Sequence, residues 1–167
     1  METPDGPLRL FGRGISSVAI KRLVDHYGVE DLTLDHLESP VGLVDIDDRA
    51  CTGCGTCAGA CPTDALSFEG RQGQATLLFD ASMCTACGQC ESVCPERSEG
   101  AISLSRAVDL HRLRQGSHVV FQGDELRCER CGSVFATTAM MERITSILGD
   151  GPTSQLLVRR CPECRVL

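Results

Sequence analysis

Hydrophobic positions in this chain come in short bursts separated by glycine, proline and acidic residues, and their spacing changes along the sequence. Ile15, Val18, Ala19, Leu23 and Tyr27 follow helical spacing, with Ser16 and Ser17 available as caps and Gly28 as the stop, so a helix is expected there. Residues 29–40 are acidic and end at Pro40, which reads as a linker or short helix. From Val41 the bursts shorten to strand length. Val41, Leu43 and Ile46 lead into Asp47, and this text returns 33 residues later as Ala75, Leu77, Phe79 and Asp80. Ala65 to Phe68 and Ala101 to Leu104 read as returning strands, with a turn at Gly70 to Gly73 between the halves. Such a repeat predicts two half-domains related by a pseudo-two-fold, each a strand, a loop, a short helix and a returning strand. One small sheet is expected, with Val44, Ile46, Leu66, Phe68, Leu78, Phe79, Ile102 and Leu104 on its apolar face. Residues 105–117 turn basic at His111, Arg112 and Arg114 and read as a solvated connector. Thr138, Met140, Met141, Ile144, Ile147 and Leu148 then mark a second helix, closed by Gly149. The class is α+β.

Cysteine gives the repeat its chemistry. The pattern C-x2-C-x2-C-x3-C-P is written twice, as Cys51, Cys54, Cys57, Cys61, Pro62 and as Cys84, Cys87, Cys90, Cys94, Pro95. Seven of the twelve positions in these two runs agree, including Thr52 with Thr85 and Gly55 with Gly88. Three thiolates at successive three-residue steps let one loop wrap an iron–sulfur cube, and the fourth must come from elsewhere. Zinc knuckles use paired ligands and have no need of a third cysteine three residues on. Pro62 and Pro95 hold the preceding cysteine extended and end a short helix, while Gly55 and Gly88 allow a backbone that side chains oppose. After Pro95 the chain carries Glu96 to Gly100, three residues more than the Thr63-Asp64 that follows Pro62. This suits a partner contact or a tolerated insertion.

Over residues 41–105 these motifs resemble the bacterial-type two-[4Fe-4S] ferredoxins. The resemblance implies a ferredoxin-like duplicated ββ/short-helix fold holding two [4Fe-4S] clusters. In that arrangement the last cysteine of each run serves the other cluster. It therefore implies Cys51, Cys54, Cys57 and Cys94 around one cluster, and Cys84, Cys87, Cys90 and Cys61 around the second.

The last third repeats a different pattern, Cys128-x2-Cys131 and Cys161-x2-Cys164, which reads as one closed tetrathiolate site. It resembles zinc ribbons and rubredoxins. Arg165 stands where the second rubredoxin knuckle usually has Gly, and only Phe121 and Phe135 supply aromatic core, so structural zinc is favoured over a one-iron centre. The division expected is a helical extension at 1–40, the cluster domain at 41–105, a linker at 106–117, and a metal-binding ribbon with an inserted helix at 118–167.

Charge and composition narrow the function. Aromatic residues make up 4% of the chain and Trp is absent, so bound metals are expected to hold much of the fold. The formal charge of −7 is concentrated before residue 105, where 16 acids face seven bases. That disfavours nucleic acid and suits docking on basic patches of redox partners. No apolar core follows a basic start, and no stretch reaches membrane-spanning length, so a cytoplasmic chain without membrane insertion is expected. No nucleotide or catalytic motif stands out, and His26 and His36 lack spaced partners. The expectation is an electron-transfer protein, not an enzyme, working as the small subunit of a larger oxidoreductase. The alternative is an iron–sulfur sensor whose ribbon, with Arg127, Arg130, Arg159, Arg160 and Arg165, binds nucleic acid or protein.

Overall fold

A computed structural model describes residues 39–149 and 151–165, together with 19, 22, 25–28 and 32–37. Its core is built by the repeat. Strand β2 (Leu43–Ile46) runs antiparallel to β5 (Ile102–Ser105), and β3 (Leu66–Arg71) runs antiparallel to β4 (Gln74–Phe79). The strand entering each cysteine run thus pairs with the strand leaving the other. Single bonds obey the same relation: the Asp47 N–H donates to Ala101 O at 3.1 Å, and the Asp80 N–H to Ala65 O at 2.8 Å. The two aspartate side chains then accept from the N–H groups of Arg49 and Ser82, both at 2.9 Å, forming turns that start each loop. Short helices follow, α1 (Thr56–Gly59) and α2 (Gln89–Val93).

Val44, Leu66, Leu77, Phe79 and Ile102 are buried between these elements. Two expected members of the apolar face lie elsewhere. Alternation along β4 turns Leu77 and Phe79 inward, which leaves Leu78 half-buried on the opposite side. Phe68 is 41% exposed, and its ring lies over Gly55 instead of inside the core.

The sheet also differs from the single one expected. β2 and β5 stay a two-stranded pair, while the β3–β4 hairpin is extended by β7 (His118–Arg127) and β8 (Val134–Thr137) in the order β3-β4-β7-β8. The outer edge of β4 has unpaired backbone groups after β3 is in place, and β7 satisfies them across a bulge at Leu77/Leu78. The tetracysteine segment and the repeat therefore share one sheet.

Two stretches expected to be linkers are ordered by each other. Residues 29–40 contain strand β1 (Thr33–Asp35), which pairs with β6 (Ala107–Asp109) from the connector. Helix α3 (Leu110–Gln115) follows, with Asp109 capping it by accepting the Arg112 N–H at 2.9 Å. The connector is solvated on one side only: His111 and Gln115 are exposed, but Ala107, Leu110 and Leu113 are buried. Burial of each leucine contributes about 1.5–3 kcal/mol. Arg112 adds an ion pair to Asp45 at 2.8 Å, which at partial exposure is worth about 0.2–1 kcal/mol, so apolar packing holds this element down. Among the residues of the expected N-terminal helix, Ala19, Arg22 and Asp25–Tyr27 are helical and Gly28 has φ +64°. The remainder of that helix lies outside the described residues.

The last third forms α4 (Thr138–Leu148), α5 (Pro152–Arg159) and α6 (Pro162–Arg165). α4 has the expected bounds, with Thr137 accepting the Met140 N–H at 3.1 Å and Gly149 at the stop. Met141 is buried, but Ile147 and Leu148 point outward. α5 was not foreseen, although Pro152 at its first turn is a start signal.

At Gly53 the ring of Phe121 packs directly on the Cys51 loop. The φ of Gly53 is +62°, and an added Cβ would lie 2.5 Å from Cε1 of Phe121. At Gly88, with φ +75°, an added Cβ would have no neighbour nearer than 4.0 Å. Gly88→Ala is expected to cost about 1–2 kcal/mol from backbone strain alone. Gly53→Ala should cost about 1–3 kcal/mol beyond that, through displacement of the Phe121 ring. Denaturant unfolding of both variants checks this; equal losses would contradict the packing.

Candidate metal centres

Each cysteine run lines a cavity, and each cavity takes its fourth sulfur from the other run. Cys51, Cys54, Cys57 and Cys94 share one cavity, walled by Ile46, Leu77 and Ile102, with the Phe68 ring beside it. Cys84, Cys87, Cys90 and Cys61 share the second, walled by Val44, Leu66, Phe79 and Leu104. The structure thus brings together the two sets that the resemblance implied. The loops match in backbone as well as in sequence. Gly53 and Ala86 have φ of +62° and +51°, and Gly55 and Gly88, which start the short helices, have +71° and +75°. An alanine held at positive φ costs about 1–2 kcal/mol, which the loop geometry imposes. Cys94 is extended before Pro95, with φ −70° and ψ 120°, as a residue preceding proline should be.

The donor set suits a cationic metal cluster. Burial raises Cys51, Cys84 and Cys94, pushes Cys57 up to about 12 and Cys90 up to about 11, and so favours neutral thiols where no cation is present. Cys61 is the exception. Burial raises it, but N–H groups of Leu66, Thr63 and Ala65 and the Thr63 hydroxyl outweigh burial and lower it. Similar donors aim at the other sulfurs, such as the Gly53 N–H on Cys51 Sγ at 3.5 Å. Four sulfurs with apolar walls and backbone donors fit an iron–sulfur cube, whose irons supply the compensating charge.

The insertion after Pro95 serves an internal contact. Residues Arg97–Glu99 make a 3-10 turn, and Arg143 of α4 reaches Glu96 at 3.0 Å and Glu99 at 3.2 Å. Glu96 also lines the Cys51 cavity. Nearby, the Thr137 hydroxyl donates to Thr52 O, and the Phe121 ring lies against Gly53. The last third therefore holds the Cys51 loop at two points and the segment after Cys94, which lines the same cavity, at a third. Sequence reasoning missed all three, because each joins residues more than 40 positions apart.

The four C-terminal cysteines also converge. Ligand atoms of Cys128, Cys131, Cys161 and Cys164 all lie within 4.8 Å of one another. Two turns present them: the Gly132 N–H donates to Cys128 O at 2.8 Å, and the Cys164 N–H to Cys161 O at 3.0 Å. Phe135 packs against the sulfurs. Arg165, at the position usually Gly in rubredoxin, has a local use. Its guanidinium sits 5.7 Å over the Phe135 ring and donates to Leu157 O and Arg160 O, both at 2.7 Å, closing the end of α5.

These thiols are unequal. Backbone N–H donation from Cys161 pulls Cys128 down to about 6, and the Ser133 hydroxyl and N–H lower Cys131, whereas burial raises Cys161 and pushes Cys164 up to about 12. Since a metal binds thiolates, its capture at neutral pH must displace protons chiefly from Cys161 and Cys164. Zinc affinity of the metal-free chain is thus expected to weaken by at least about two log units per pH unit on going from pH 8 to 7. The slope should steepen below about 6, where Cys128 also takes a proton. A chelator-competition titration over this range checks it, and a flat profile would refute it.

Residues 50–98 match the family model of the 4Fe-4S dicluster domain. The match takes in both cysteine runs and suggests iron–sulfur electron transfer for this segment. Among curated proteins, none matches the chain. Among the described residues, no helix is long and apolar enough to cross a membrane.

Proposed function

We propose that this chain is a ferredoxin-type relay that carries single electrons through two [4Fe-4S] clusters and makes or breaks no bonds itself. The observation that carries this reading is the crossed pair of cavities, each with three sulfurs from one run and the fourth from the other. Cys51, Cys54, Cys57 and Cys94 would hold one cluster, and Cys84, Cys87, Cys90 and Cys61 the second. When bound, such a cube accepts and releases one electron.

The protein's own part is to fix the sulfurs, exclude water and set the local field. Leu77 and Ile102 on one side, and Leu66 and Phe79 on the other, lower the local dielectric and so disfavour added negative charge. Backbone N–H donors to sulfur oppose this and raise the potential. In the reading proposed here the tetracysteine site holds one structural zinc. Its sulfurs form a closed set with a single aromatic neighbour, and the elements it ties together brace the Cys51 loop.

The segments outside the repeat, and the acidic charge, support a dedicated redox partner, such as the catalytic subunit of a cytoplasmic oxidoreductase. Strictly anaerobic purification followed by metal and sulfide analysis tests the reading. About eight iron, eight acid-labile sulfides and one zinc per chain are expected. Nine iron and no zinc would make the ribbon a third redox centre, and absence of sulfide would overturn the relay.

A further inference from the structure

We propose that this chain exchanges electrons with its partner at the Cys87 end of the relay, where a redox protein bearing an apolar patch rimmed by basic residues docks over the cleft between Leu37 and Cys87. The inference rests on the two-cluster reading above and assigns the exposed end of that relay.

The cavities differ in what surrounds them. The walls of the Cys51 cavity are braced by Phe121 and Thr137 on the Cys51 loop and by Arg143 on Glu96, all from the last third of the chain. Among the described residues, no hydrogen bond or ion pair from that third reaches the Cys84 loop in the same way. Of the eight cysteines in the two runs, Cys87 is the exposed one. It opens into a cleft of about 550 Å³ flanked by Asp35, Leu37, Glu91 and Arg106. Electron transfer between proteins needs a cluster edge near the surface, and this edge is at the surface.

The cleft also specifies its partner. Leu37, which lines the cleft with Leu104 and Ala86, is 90% exposed, an apolar surface beside a cysteine ligand. Arg106 turns its guanidinium onto backbone, donating to Ser39 O at 3.0 Å and Ala86 O at 2.9 Å. It thereby clamps the N-terminal segment to the Cys84 loop. Asp35 is left exposed at the rim, on a half of the chain where acids outnumber bases, and the thiolate-bound cluster adds further negative charge. Apolar contact at the centre with acids around it complements a basic, apolar-centred surface.

Two measurements on the metal-loaded full chain test this. Cys94→Ala leaves the Cys87 cluster and Cys61→Ala leaves the Cys51 cluster, so each reduced variant reports one site by electron paramagnetic resonance. Added dysprosium chelate is expected to speed spin relaxation several-fold more in Cys94→Ala than in Cys61→Ala. In stopped flow, with cytochrome c as a basic redox probe, Asp35→Lys should slow oxidation of the reduced chain about five- to tenfold at low salt and flatten its salt dependence. Val134→Lys, beside the Cys54 edge, should change the rate less than about twofold. Equal relaxation at the two sites, or a larger effect from Val134→Lys, overturns the assignment. Absence of both resonance signals from the unsubstituted chain would remove the relay itself.

Discussion

Cys94→Ala is expected to remove the cluster served by Cys51, Cys54 and Cys57, although Cys94 lies in the other run. Both cavities cross the repeat in this way, so Cys61→Ala should remove the cluster served by Cys84, Cys87 and Cys90. Each single change should lower iron from about eight toward about four per chain, because three thiolates leave one iron of the cube without a protein ligand and the incompletely held cube is released. Double variants separate this from general damage. Cys94→Ala with Cys51→Ala removes two ligands of one cavity and should lose no more iron than either alone. Cys94→Ala with Cys90→Ala removes one ligand from each cavity and should lose nearly all. Non-additivity of this kind marks residues that act as a unit. If Cys94→Ala and Cys90→Ala instead prove redundant, the crossed assignment is wrong and each run binds its own cluster.

The second large effect is at a distance. Emptying the tetracysteine site with Cys161→Ser and Cys164→Ser should shorten the lifetime of the Cys51 cluster while sparing the Cys87 cluster. The β4–β7 pairing is expected to survive, since its hydrogen bonds do not depend on the metal. What loosens is the part the metal ties down, β8 with α4 and α5. That part supplies the Thr137 bond to Thr52 O and the Arg143 pairs to Glu96 and Glu99. Loss of such supporting contacts typically costs about 10–100-fold in metal retention. Iron release to a chelator, followed in the Cys61→Ala and Cys94→Ala backgrounds, reads the two clusters separately. Acceleration of at least about tenfold in the first background, and little in the second, is expected. Equal acceleration in both would mean that zinc loss unfolds the whole chain.

Much of the site was legible because its determinants are local. Cysteine spacing, the closing prolines and the glycines at positive φ act within a dozen residues, and Asp47 and Asp80 start their loops through bonds only two residues long. Helix α4 was legible for the same reason, since its spacing, its cap and its stop at Gly149 lie within one stretch. The strand alternation was harder to read at β4, where Leu77, Leu78 and Phe79 are all apolar and only packing selects which face is buried.

The sequence by itself determined the ligand chemistry: two four-cysteine runs of one design, a separate set of four cysteines, and an acidic half. Tertiary structure decided how those parts are joined. Pairing of β1 with β6 turned an apparent linker into an ordered element, and pairing of β4 with β7 placed the tetracysteine segment on the same sheet as the repeat. The insertion after Cys94 became an anchor for Arg143. Each of these depends on which unpaired backbone edge or buried charge lies opposite in space. That information is carried by the whole fold, and no local spacing along the chain records it.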